Sequence, residues 1–375
     1  MPGLRPEVDP DGLLEYSVVY TDRTLNHMSQ RFQGVMRDIS AVLREAYRAG
    51  TAIVVPGSGT FGMEAVARQF ATGRKVLVIR NGWFSYRWTQ MFEMGAIPSG
   101  STVLAARPSQ PGRQAPFAPA PLDEVLAAIE RERPDLVFAP HVETASGLIL
   151  PEPYLRAVGD ATRAVGGLFV LDCIASGAIW VDMAATGIDV LISAPQKGWS
   201  GPSCCALVML GERARERIEH TRSTSFACDL RKWLQIMQTY ESGGHGYHAT
   251  LPTESLVRVR DAILETQRFG FDQARSAQQK LGDRVRAVLA ARGFPSVAAA
   301  GFEAPGVVVA YTDDPEIHSG RKLAEQGLQI AAGVPLQCGE PDDFRTFRIG
   351  LFGLDKLQNV ERTVQVLDEA FARAL

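Results

Sequence analysis

Lys197 follows an apolar run in LISAPQKGWSGPSCC, residues 191–205. Leu191, Ile192 and the residues before them read as a buried strand, and lysine is seldom buried without a partner. Either Lys197 is an ordinary loop lysine or its amine is set at a strand end to do chemistry. Asp172 closes a second apolar run, GLFVLD (167–172). A carboxylate at the C-terminal end of a central strand sits where α/β proteins bind ligands, and burial there calls for a cation; the plainer reading is a cap or turn aspartate. In VVPGSGTFGMEA (54–65), Gly57, Gly59 and Gly62 spell G-x-G-x-x-G between a strand pattern and a helix pattern. Small residues let backbone approach an anion, and a helix starting near Thr60 offers free N–H groups and the positive end of its dipole.

Two chemistries use such a loop. A nicotinamide dinucleotide also needs an acid at the end of the next strand, for the ribose. KVLVIRNG (75–82) supplies Arg80 there instead, so an NADP-dependent oxidoreductase survives as an alternative and an NAD enzyme is disfavoured. Pyridoxal phosphate needs an aldehyde-binding lysine, an acid against its pyridine nitrogen and a phosphate cradle. Lys197, Asp172 and the Gly57–Thr60 loop could supply all three. The acid would keep the ring nitrogen protonated. The lysine would serve first as imine partner and then as the base that moves the α-proton.

The elements that must position these residues alternate. Runs at 51–55, 75–79, 101–106, 135–139, 167–172, 189–193 and 204–210 read as strands buried on both faces, with helices near 60–71 and from about Phe84. This predicts an α/β fold with a mostly parallel central sheet. Apolar spacing from Leu25 to Tyr47 predicts a leading helix stopped by Gly50, and PGRQAPFAPAP (111–121) reads as a surface excursion. After YHATLPT the pattern changes to long helices over 253–292, strands near 306–311 and 346–350, and an amphipathic helix from 356. The organisation expected is an N-terminal arm (1–24), a large domain (25–252) and a smaller C-terminal α+β domain (253–375). The chain has 375 residues, 46% hydrophobic and 22% charged, with net charge −3. No basic field favours nucleic acid, and no uninterrupted apolar stretch is long enough to span a membrane. Five scattered cysteines without metal-ligand spacing suit a reduced, cytoplasmic protein, and MPGLRPEVDPDG has no signal-peptide character.

The order of phosphate loop, aspartate and lysine resembles the fold-type I pyridoxal-phosphate enzymes, most closely the class V aminotransferases of the alanine–glyoxylate and serine–pyruvate type. RNGWFSYRW (80–88), HVETASG (141–147), VLDCIAS with IDVLISAPQKG, YHATLP (247–252) and FRIGLFG (347–353) are similar to that family's segments, in its order. The resemblance implies an aminotransferase moving an amino group from a small amino acid to glyoxylate or pyruvate. It implies that Lys197 binds the aldehyde, Asp172 pairs with the pyridine nitrogen, Phe84 stacks on the ring and Thr144 bonds the phenolic oxygen. Ser58, Gly59, Thr60 and Gln196 would hold the phosphate, joined by Tyr247 and Thr250 of a second subunit in a homodimer with shared sites. Arg348 would take the substrate carboxylate in two-point fashion. No metal is expected; the histidines of HGYH (245–248) read as loop residues.

Two segments depart from the family. Pro195 stands where a Ser or Thr usually precedes Gln-Lys, and it has no donor. The family's Gly-Pro-rich N-terminal segment is replaced by DPDGLLEYSVVYTDRTLNH. Cys338, ten residues before Arg348, leaves a cysteine desulfurase as a second alternative. Gln196 and Phe84 argue against it, because desulfurases generally carry histidines at both places.

Overall fold

The computed structural model describes residues 7–375; of the expected N-terminal arm, residues 1–6 lie outside them. The apolar runs form a seven-stranded sheet. In chain order the strands are β1 (Thr51–Pro56), β2 (Lys75–Arg80), β3 (Gly100–Ala105), β4 (Leu136–Pro140), β5 (Leu168–Asp172), β6 (Val190–Ser193) and β7 (Cys205–Leu210). Their spatial order is β1-β7-β6-β5-β4-β2-β3, and only β7 runs antiparallel to its neighbours. Strands β4 to β7 are buried along their whole length, which explains why they read as continuous apolar runs.

Helix α1 (Gln30–Tyr47) starts five residues later than its apolar spacing predicts and ends at Tyr47, as that spacing does. The Ser29 side chain accepts the Phe32 N–H at 3.1 Å and starts the helix there. Arg48 ends it in the left-handed conformation, φ 51°, two residues before Gly50. Helix α2 (Gly59–Val66) continues as a π-helical turn, Ala67–Ala71, and α3 spans Trp83–Gly95.

The two long helices expected over 253–292 are Thr253–Phe269 and Phe271–Ala291, broken at Gly270 with φ 98°. The first packs on α1, and its Leu256, Val259 and Ile263 join the core beneath the large sheet. A second sheet has the order Val307–Tyr311, Thr346–Gly350, Ala331–Ala332, all antiparallel. Helix Val360–Ala374 closes the chain with Val364, Leu367 and Phe371 buried.

The Pro-rich segment is more than the surface excursion expected. Phe117 is 1% exposed, its N–H donates to Val297 O at 2.7 Å, and its carbonyl accepts from Ala299 N at 2.8 Å. The strand bonds that Pro cannot supply are made between the prolines, at Phe117. Only the tip around 109–113 is exposed.

Candidate active site

Parallel strands bring their C-terminal ends to one edge. Asp172 lies in register with Pro140 on β4 and Ile192 on β6. The loops leaving that edge carry residues 57–60, 81–84, 141–144 and 196–197.

The loop after β1 is shaped by close approach. A Cβ on Gly59 would sit 2.6 Å from Ile174 Cδ1, and one on Gly62 2.4 Å from Ala206 Cβ. Both glycines therefore let the start of α2 lie directly on the strand ends. Ser58 is the N-cap of α2 in extended conformation, but its side chain makes no capping bond. Its hydroxyl and the first N–H groups of the helix are left for an anion. The Thr60 hydroxyl oxygen accepts from Arg87 Nη1 at 3.2 Å.

Asp172 is 7% exposed. Oδ1 accepts the Ile174 N–H at 2.9 Å, the one hydrogen bond its side chain makes among the described residues. Burial pushes the carboxyl up to about 6, against the lowering effects of that N–H, of Lys197 and of Arg87; Glu143 adds to the rise. Lys197 follows β6 in a turn and is half-buried. Gly198 beside it sits against backbone: a Cβ there would meet Gly177 O at 2.2 Å. Among the described residues nothing hydrogen-bonds the Lys197 amine. It lies 5.9 Å from the Phe84 ring centroid and 5.6 Å from that of Phe352. Burial lowers its pKa, opposed by Asp172 and Glu143 and helped by Arg87 and Arg348.

Phe84 is held by a residue that was assigned no role above. Glu143 is fully buried. Its Oε1 accepts from Phe84 N (3.2 Å) and Ala145 N (3.0 Å), and its Oε2 from Ser85 N (2.8 Å) and Ser85 Oγ (2.7 Å). It thereby caps α3 from another loop. Next to it, Thr144 has a buried hydroxyl with no hydrogen-bond partner. Arg348 points its guanidinium at the same ring, 5.6 Å from the Phe84 centroid, with Nε donating to Ala332 O at 2.8 Å. Burial lowers its pKa, opposed by Glu143.

Lys197, Asp172, Phe84, Thr60 and Arg348 are thus linked through shared contacts or fields, and Thr144 follows Glu143 in the same loop. Gln196 is exposed on the turn before the lysine. Tyr247 and Thr250 are exposed, with their hydroxyls 3.1 Å apart, and the Tyr247 ring lies tilted against His27, centroids 5.6 Å apart. No contact joins either to Lys197 or to the Ser58–Thr60 loop among the described residues. Arg87, Glu143 and Phe352 are the site residues that the sequence did not single out, although each lies inside a segment carrying the family resemblance.

The alternatives lose their footholds. Arg80 donates to Gln337 O (3.1 Å) and Thr89 Oγ1 (2.8 Å) and lies over Tyr86, so it is committed within the protein. The Cys338 thiol is half-buried near two carbonyl oxygens, and burial pushes it up to about 12, far from a reactive thiolate. His248 Nε2 bonds Phe226 O at 2.8 Å, and no group of three or more potential metal ligands exists among the described residues. No helix there is long and apolar enough to cross a membrane.

No family profile matches the chain. An alanine–glyoxylate aminotransferase of Callithrix jacchus is 27% identical over 361 residues, 92% of this chain and 82% of that protein. A protein of Synechococcus sp. named as the small subunit of a soluble hydrogenase is 26% identical over 354 residues, 93% of this chain and 87% of that one. The crystal structure of an alanine–glyoxylate aminotransferase from Nostoc sp. superposes with TM-score 0.77 at 22% identity, covering 92% of this chain and 88% of that one. The chain's curated and structural neighbours are alanine–glyoxylate and related class V aminotransferases, and it has the fold of type I pyridoxal-phosphate enzymes. Class V aminotransferases use pyridoxal phosphate. The edge described above fits that group: it offers an unbonded amine, a buried carboxylate with one bond, an orphaned hydroxyl at Thr144 and a glycine cradle that any Cβ would fill.

Proposed function

We propose that the protein transfers the amino group of a small amino acid, such as alanine or serine, to glyoxylate or pyruvate, with pyridoxal phosphate held at the strand ends. The observation that carries this reading is the unbonded Lys197 amine beside the Phe84 ring, on the same edge as the buried Asp172. Pyridoxal phosphate, when bound, supplies a ring that takes up the electron pair left as the α-proton departs. Lys197 would hold the aldehyde and move that proton; its lowered pKa keeps more of the amine free to accept one. Asp172 would pair with the ring nitrogen, whose proton would add a cation beside its carboxylate. Phe84 would cover one ring face and Thr144 would donate to the phenolic oxygen. Ser58, Gly59, Thr60 and Gln196 would hold the phosphate. Arg348 binds the substrate carboxylate.

The half-reaction tests this directly. Adding L-alanine or L-serine without a keto acid should replace the visible absorbance by the near-ultraviolet band of pyridoxamine phosphate, and glyoxylate or pyruvate should reverse it. Arg348→Ala should weaken amino-acid binding by roughly 2–5 kcal/mol, as expected for truncating one partner of a desolvated charge pair. Cys338→Ser should leave transfer intact. Sulfide release from L-cysteine, lost in Cys338→Ser, with no small amino acid converted, would instead establish the desulfurase.

We further propose a cytoplasmic homodimer with shared sites. The exposure of Tyr247 and Thr250, away from their own chain's loop, supports it. Mixing inactive Lys197→Ala chains with inactive Tyr247→Phe/Thr250→Ala chains should restore activity, because some heterodimers carry one intact site. Heterodimers that form but stay inactive would place both residues in their own chain's site.

A further inference from the structure

Arg87 lies on α3, one turn after Phe84, and is half-buried. Its guanidinium carbon is 4.8 Å from the Phe84 ring centroid, and Nη1 donates to Thr60 Oγ1. No Asp or Glu forms an ion pair with it among the described residues, although it lies within reach of Asp172 and Lys197, lowering the pKa of both. A half-buried guanidinium held by one hydroxyl and an aromatic face has donors to spare. Because Thr60 Oγ1 accepts from Arg87, the hydroxyl proton of Thr60 stays free for another acceptor, in the first turn of α2 beside the Ser58 hydroxyl and the free N–H groups. Directly before Gln196 and Lys197, Pro195 contributes no donor. The fold thus leaves an anion site short of one donor and sets an acid-free cation at its rim.

We propose that Arg87 is the cation of the phosphate subsite: it donates to the cofactor's phosphate ester and orients the Thr60 hydroxyl toward it, in place of the hydroxyl that Pro195 cannot offer. The inference rests on the pyridoxal-phosphate reading above. Two features distinguish this role from helix packing. It acts on the phosphate and not on the pyridine ring, and it depends on charge.

The test compares two aldehydes that differ only in the phosphate. Cofactor-free protein is titrated separately with pyridoxal phosphate and with pyridoxal, following absorbance. Arg87→Ala should weaken binding of the phosphate ester by about 10–100-fold, the scale of a hydrogen bond to a charged group, and leave pyridoxal binding unchanged. Arg87→Lys should recover part of the loss. Inorganic phosphate should compete with pyridoxal phosphate in the wild type and fail to do so in Arg87→Ala. Equal weakening of both aldehydes, or no change in either, overturns the proposal, and circular dichroism of each variant shows whether a loss comes from misfolding. Failure of the cofactor reading itself is separate: it shows in the wild-type titration alone, as absence of any lysine-linked chromophore.

Discussion

Lys197→Ala abolishes both colour and turnover. The purified variant should be colourless after dialysis, and added pyridoxal phosphate should bind only reversibly, with the absorbance of the free aldehyde. Turnover should fall by roughly 10²–10⁴-fold from loss of positioned proton transfer alone, with loss of the covalent tether added to that. The fold should survive. The amine makes no hydrogen bond among the described residues and its burial already disfavours its charge, so truncation removes an unfavourable group. Borohydride reduction followed by peptide mapping checks the assignment. A chromophore retained on some other lysine of the variant would refute it.

Asp172→Asn should push function and stability in opposite directions. Burial raises the Asp172 carboxyl to about 6 from an ordinary 3.8. A raised carboxyl favours the folded chain while it is protonated. That contribution is fully present below the unfolded value and is lost as pH rises through about 6. At neutral pH the cofactor-free wild type therefore carries a buried charge whose burial the Ile174 N–H, Lys197 and Arg87 do not offset. At about 1.4 kcal/mol per pKa unit, this costs up to about 3 kcal/mol. Asparagine has a similar shape and no charge. Cofactor-free Asp172→Asn should melt at higher temperature than wild type at pH 7–8, and its stability should change less between pH 4 and 6. Its catalysis should suffer by about 3–5 kcal/mol, the scale of breaking a buried charge pair by removing one partner. Melting curves across pH, with turnover at saturating cofactor, measure both. A variant that melts lower than wild type, with an unchanged pH profile, would mean that the carboxylate already has a partner in the protein.

Much of the site was legible because it sits where apolar runs end. Strands covered on both faces cannot hide their boundaries, so Asp172 at the end of β5 and Lys197 after β6 stood out by type alone. The glycines of 57–62 stood out because strand and helix patterns flank them. Arg87 and Glu143 did not, since their meaning lies in partners on other loops: Thr60 for one, Phe84 and Ser85 for the other. A charged residue near a helix start has many ordinary uses, and one sequence does not show which loop it faces. The start of α1 escaped for a different reason. Apolar spacing reports which face is buried, whereas Ser29 and Arg48 decide where the backbone turns. The prolines of 111–121 masked Phe117 in the same way, by drowning a single buried contact in turn signals.

The pairing at one edge of the large sheet has a consequence for how the chain is made. β1 bonds only to β7, with Thr51 opposite Leu210 and Pro56 opposite Cys205. α1 packs against helix Leu230–Glu241 as well as Thr253–Phe269. As the chain leaves the ribosome, the segments made earliest must wait for those made more than 150 residues later. Such long-range closure is slow, because loop entropy is lost before any contact rewards it. Until Phe269 has emerged, the apolar face of α1, with Phe32, Ile39 and Leu43, lacks part of its permanent cover. A nascent chain stalled before that point presents this stripe to solvent. It is then a natural target for chaperones and proteases.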